Sequence, residues 1–99
     1  MNKIKGVSEK QLFIIKQILF GYPEIDFYFY GSRVNGDFSP NSDLDVLARG
    51  KSKLSLDLLE KLQDKFDKSD LPFIVHIADF YELDKDFWNL IKGSIKKVK

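Results

Sequence analysis

Ile25-Asp26-Phe27-Tyr28-Phe29-Tyr30 carries aromatic or aliphatic side chains on both of its alternating sets of positions. Successive residues of a strand point to opposite faces, so this run has apolar surface to hide above and below the sheet. It predicts a central strand covered on both faces, and therefore helices packed on a sheet. With 99 residues there is material for one such core and not for two, so a single domain spanning 1–99 is expected.

The flanking signals fit that layout. Ser8 followed by Gln11 is a capping-box start, and Leu12, Ile15, Ile18 and Leu19 recur at helical spacing until Gly21 and Pro23, which predicts a helix over Ser8–Phe20. A strand over Asp43–Arg49 would place Leu44, Val46 and Ala48 on one face and Asp43, Asp45 and Leu47 on the other. Leu54, Leu58, Leu59, Leu62 and Phe66 form the stripe of a second amphipathic helix, with Lys61, Asp64, Lys65 and Lys68 on its wet side. Phe73–Ala78 reads as a third strand, interrupted by His76, and Asp84 is a cap for a last helix carrying Phe87, Leu90 and Ile91 as far as Gly93. The Lys-rich stretch Ser94–Lys99 reads as a solvated tail. The expected class is α/β (α+β), a small mixed sheet of three or more strands packed with about four helices. The helix between the second and third strands predicts a parallel pair with a right-handed crossover.

Composition narrows the functions open to this chain. Sixteen Lys and Arg against fifteen Asp and Glu leave a net charge of +1, so no global field recruits nucleic acid or anionic lipid, and a nucleic-acid partner is not expected. There is no Cys for a disulfide, a thiolate nucleophile or a Cys-based zinc site. Met1–Val7 is not followed by a signal-type apolar run, and no stretch approaches membrane-spanning length. A soluble, cytoplasmic protein is expected. Fourteen aromatic residues either fill the core or leave some for an interface, and oligomeric state is left open.

The chemistry concentrates after the first strand. Gly31–Ser42 is long for a passive connection and rich in Gly, Ser, Asn, Asp and Pro. Gly31 lets phosphate oxygens approach the backbone, and the Ser32 hydroxyl can donate to them. Asp43 and Asp45, two apart on a strand, point the same way with Cβ atoms roughly 6 to 7 Å apart, near enough to share a hard cation. Two like charges on one face of an otherwise apolar strand are costly unless a cation neutralises them. Cradle and carboxylates together point to a nucleoside triphosphate with Mg²⁺. Taken singly, a Gly-Ser pair is more often a turn and an Asp-X-Asp a solvated edge.

Gly31-Ser32-Arg33, then Gly36-Asp37, then Ser39 to Ser42, then Asp43-Leu44-Asp45-Val46 resembles the signature of the minimal nucleotidyltransferase family, a branch of the polymerase-β-like nucleotidyltransferase superfamily. The resemblance implies the superfamily's fold. It implies an antitoxin that transfers AMP from ATP to a Tyr hydroxyl of a partner HEPN-domain toxin. On it Gly31, Ser32, Arg33 and Ser42 would hold the nucleotide, and Asp43 and Asp45 would ligate Mg²⁺ or Mn²⁺ and be catalytic, with His76 added, on its own chemistry, as a candidate catalytic base. Arg33 is read either as a phosphate contact or loop clamp, or as an i,i+4 partner of Asp37.

One position departs from the pattern. Such proteins usually carry a third carboxylate on the next strand, and here His76 stands at the matching place. It is read as a core imidazole satisfied by a hydrogen bond, as a general base, or as a ligand better suited to Mn²⁺ or Zn²⁺ than to Mg²⁺. Asp79, an odd step along the strand, is expected on the opposite face as a strand-end or turn residue. The substitution predicts weakened or Mn²⁺-dependent turnover. The alternative is a catalytically weakened member that neutralises its toxin by binding alone.

Overall fold

The computed structural model describes residues 6–35 and 43–98. Ser8 caps α1 (Glu9–Leu19): its hydroxyl accepts from the Gln11 N–H at 3.1 Å, and the Gln11 side chain accepts in return from the Ser8 N–H at 2.9 Å. After it come β1 (Asp26–Tyr30), the single turn α2 (Ser32–Asn35), β2 (Leu44–Arg49), α3 (Leu56–Asp67) and β3 (Val75–Asp79). A 3-10 turn over Phe80–Glu82, α4 (Lys85–Ile91) and the two-residue β4 (Lys96–Lys97) complete the order. The sheet runs β3-β2-β1-β4, with β2 parallel to β3 and β1 antiparallel to both its neighbours. The parallel pair follows from α3, whose length carries the chain back across the sheet.

The two-sided character of β1 is met on both faces. Toward α1 and α3, Phe27, Phe29, Leu44, Val46, Ala48 and Val75 pack with Ile15, Leu19, Leu62 and Phe66. Burying each of the larger side chains contributes about 1.5–3 kcal/mol. Toward α4, Tyr30 and Leu47 pack with Ile91, flanked by Tyr28, Ala78, Phe80, Leu83 and Trp88.

Two sequence expectations are corrected. The tail does not stay in water: Lys96 and Lys97 pair with Phe29 and Tyr28, and Val98, buried in the main core, donates its N–H to Phe27 O at 2.8 Å. Ile95 and Val98 anchor the segment, while the exposed lysines between them suit a sheet edge. The third strand starts at Val75 rather than Phe73, because the Pro72 turn must be completed before the chain enters the sheet. The outer edge of β3 is stoppered from α3. Gln63 Nε2 donates to Val75 O at 2.6 Å, and Gln63 Oε1 accepts from Ile77 N at 3.3 Å, as a neighbouring strand would.

Candidate active site

β1 ends where β2 and β3 begin, so the sheet has one end at which three strand termini meet. The register there sets Tyr30, Asp45 and His76 in a single row across β1, β2 and β3. Residues paired across strands share a face, and this face is the one that α4 covers. Asp45 is half-buried and Asp43, just ahead of β2, is exposed.

The turn that leaves β1 is shaped by Asp45. Gly31 holds φ at 86°, in the left-handed region that favours glycine. A Cβ built there would collide with Asp45 Oδ2. Gly31 is therefore required twice, by backbone conformation and by the carboxylate lying against its Cα. Ser32 opens α2 behind it; its hydroxyl, like Ser42 and Asp37, lies outside what the structure describes.

Electrostatics sharpen the picture. Burial pushes the Asp45 carboxyl above the usual carboxylate range and Asp43 adds to the rise, while His76 pulls against it. The Tyr30 phenol is pushed up to about 12, first by burial and then by the charge of Asp45. Negative charge on this row is thus poorly solvated, the condition a divalent cation relieves. The donors fit a hard ion, since both are carboxylates. Among the described residues no three His, Asp or Glu side chains gather closely enough to hold an ion by themselves. Asp43 and Asp45 would need further oxygens from water or substrate phosphates, which is how Mg²⁺ is commonly held with nucleotides.

The other sequence candidates separate. His76 is exposed, so the reading as a buried, satisfied imidazole is corrected: it stands near the start of an edge strand, on the α4 face, with water in reach. Among the described residues Asp43, Asp45 and His76 do not form a closed three-ligand set. Arg33 is 2% exposed, with its guanidinium 4.5 Å from the centroid of the Phe73 ring. It braces α2 against the segment entering β3, in keeping with loop fixing. Asp79 ends β3 on the opposite face, where Oδ2 accepts from Leu54 N at 2.9 Å and Oδ1 from Tyr81 N at 3.2 Å. That is the turn role expected of it.

The sequence gives no hint of Tyr30 as a neighbour of Asp45, because strand register cannot be read from either strand alone. Nor does it foreshadow Phe87 of α4, whose ring meets Tyr30 edge-to-face at 6.0 Å and 81°. A groove of about 510 Å³ between α1 and α3, lined by Phe13, Gln17, Lys65 and Lys68, opens on the far side of the sheet from the row.

Residues 5–98 match the family model described as the nucleotidyltransferase domain. Over 87 residues the chain is 31% identical to the probable protein adenylyltransferase MntA of Haemophilus influenzae, an alignment covering 87% of this chain and 76% of that protein. The backbone is similar to one in a crystal structure of a toxin–antitoxin with AMP-PNP, with a TM-score of 0.73 and 21% identity over 89% of this chain and 72% of that one. A mutant of the toxin–antitoxin MntA–HpeT gives a TM-score of 0.69 and 21% identity over 87% of this chain and 69% of that one. At that identity the likeness to the two structures is one of fold.

Proposed function

The chain belongs to the nucleotidyltransferase-domain family, and from that premise we propose that it is an MntA-like antitoxin transferring AMP from ATP to a hydroxyl, a Tyr of a HEPN-domain toxin. The observation that carries this reading is the row itself: a half-buried Asp45 packed against a side-chain-free turn at Gly31, with Asp43 exposed beside it. The kinship with a probable protein adenylyltransferase supports AMP as the group moved and a protein as its acceptor. The fold shared with a toxin–antitoxin holding AMP-PNP supports ATP and a toxin partner.

Each group has a task in this reading. The backbone N–H groups at Gly31 and the start of α2 receive the phosphates, while the missing Cβ of Gly31 makes room for the Asp45 carboxylate beside them. Asp43 and Asp45 hold Mg²⁺ or Mn²⁺, which when bound neutralises phosphate charge and favours pyrophosphate as leaving group. The acceptor oxygen bonds to the α-phosphorus, the bond from that phosphorus to the bridging oxygen breaks, and pyrophosphate departs. The hydroxyl proton passes to His76, which is exposed and stands in register with Asp45. Replacing an acid by an imidazole there leaves one ligand fewer for a second cation, so turnover is slow or favours Mn²⁺.

The test is mass spectrometry of the toxin after incubation with this protein, ATP and either cation. A gain of one AMP is expected, and it is lost on Asp43→Ala with Asp45→Ala. A second reading, neutralisation by binding alone, draws on the absent third acid. It is favoured if that double variant still silences the toxin.

A further inference from the structure

Among the described residues four aromatic side chains are exposed: Phe13, Phe20, Tyr81 and Phe87. Phe13 lies on α1 and Phe20 just after it, across the sheet from Asp45. Tyr81 is tied at the opposite end of the strands, where its hydroxyl donates to Gly50 O at 3.1 Å and Lys51 O at 3.3 Å. Phe87 alone stands beside the row. It is 38% exposed, carried on α4, and fixed by its edge-to-face contact with Tyr30, whose partner across the ladder is Asp45. An aromatic ring with open surface, joined to Asp45 through a single intervening residue, Tyr30, is what a planar heterocycle attached to phosphates held at that carboxylate's cation can stack on.

We propose that Phe87, braced by Tyr30, is the stacking platform for the base of the nucleoside triphosphate. The inference rests on the nucleotide reading above and adds a specificity-determining residue to it. Tyr30, the ring that braces the platform, is itself set in an apolar cluster with Leu47 and Ile91, against which Leu83 and Trp88 pack. Such a platform reads ring area and not a hydrogen-bonding edge, so ATP and GTP bind alike and both bind more tightly than CTP. Stacking of this kind amounts to about a five- to 150-fold gain in affinity.

Calorimetric titration of the full chain in Mn²⁺ with ATP, CTP and inorganic tripolyphosphate tests this. The wild type is expected to bind ATP about five- to 150-fold more tightly than tripolyphosphate. Phe87→Leu, which keeps apolar cover over Tyr30 but removes the π-face, erases that difference and leaves tripolyphosphate binding unchanged. Phe87→Trp restores or exceeds it, and Phe13→Ala leaves every affinity as it was. Equal binding of ATP and tripolyphosphate by the wild type, or an ATP advantage that survives Phe87→Leu, overturns the platform and leaves the phosphate site standing. Failure of the wild type to bind either ligand overturns the nucleotide reading, and the platform with it.

Discussion

The two faces of β2 obey different rules. On the side toward α1 and α3, Leu44, Val46 and Ala48 are each 0% exposed and belong to the main apolar core. On the side toward α4, Leu47 is as deeply buried, yet Asp45 two residues earlier is half-buried and Asp43 is in water. One face is built for packing, and the other grades from packing at Leu47 to chemistry at Asp43 within five residues. The contrast teaches that the closed face carries the stability that lets the open face hold a poorly solvated carboxylate. The strongest way to break it is Phe29→Ala. Phe29 is 0% exposed in the closed core, so the substitution should lower unfolding free energy by about 3–5 kcal/mol, measured by denaturant titration. In a domain this small that is a large share of the whole.

Gly31→Ala attacks the open face from the backbone. The new Cβ must enter the space of Asp45 Oδ2 while the residue keeps a φ of 86°. The cost should be about 1–3 kcal/mol from backbone strain, with the larger consequence at the site, where Asp45 is displaced and cation binding is lost. Gly93→Ala is the control, since a Cβ there meets nothing within 4 Å. Comparing the two variants by thermal melting and by Mn²⁺ binding separates a general glycine effect from the contact with Asp45.

Gln63 tests the boundary between the faces at the edge of the sheet. Its amide occupies both Val75 O and Ile77 N, so Gln63→Leu leaves two backbone groups of β3 without that partner. A loss of about 1–3 kcal/mol is expected. Because the freed groups lie on a strand edge, the variant should also self-associate with rising concentration, measurable by analytical ultracentrifugation.

These variants also mark what was legible in the sequence. The alternation in 44–48, the Ser8–Gln11 box and the two-sided aromatic run of β1 are local signals, and each led to the right element. The parallel β2–β3 pair followed from the helix between them. Position 76 shows where local reading ends: the strand was foreseen, but whether His76 faces core or water depends on β3 being an edge strand. The same holds for β4. Its two lysines look like a tail until β1 presents an open edge for them, with Ile95 and Val98 anchoring either side. Asp43 and Asp45 could be paired by their spacing alone, whereas Tyr30 and Phe87 join them only through register and through the crossing of α4.

The smallest expected effect is the one that bears most directly on the contrast. In the folded chain burial, helped by Asp43 and opposed by His76, holds the Asp45 carboxyl above its usual range. Such a group binds a proton more readily folded than unfolded. Its contribution therefore favours folding fully below the ordinary carboxylate range and is lost as pH rises through the raised value. Asp45→Asn, which mimics the protonated form, should then be more stable than the wild type at neutral pH. The gain should stay below about 1 kcal/mol, because solvent screens a half-exposed carboxylate. The advantage should shrink toward zero as the pH is lowered. Adding Mg²⁺ with ATP should reverse the order, since only the wild type gains stability by binding them. Melting curves of both proteins at several pH values, with and without the ligands, check each step. A wild type that is the more stable at neutral pH without ligand would mean that Asp45 is satisfied by the protein itself, and the case for a cation between the two aspartates would lose its electrostatic ground.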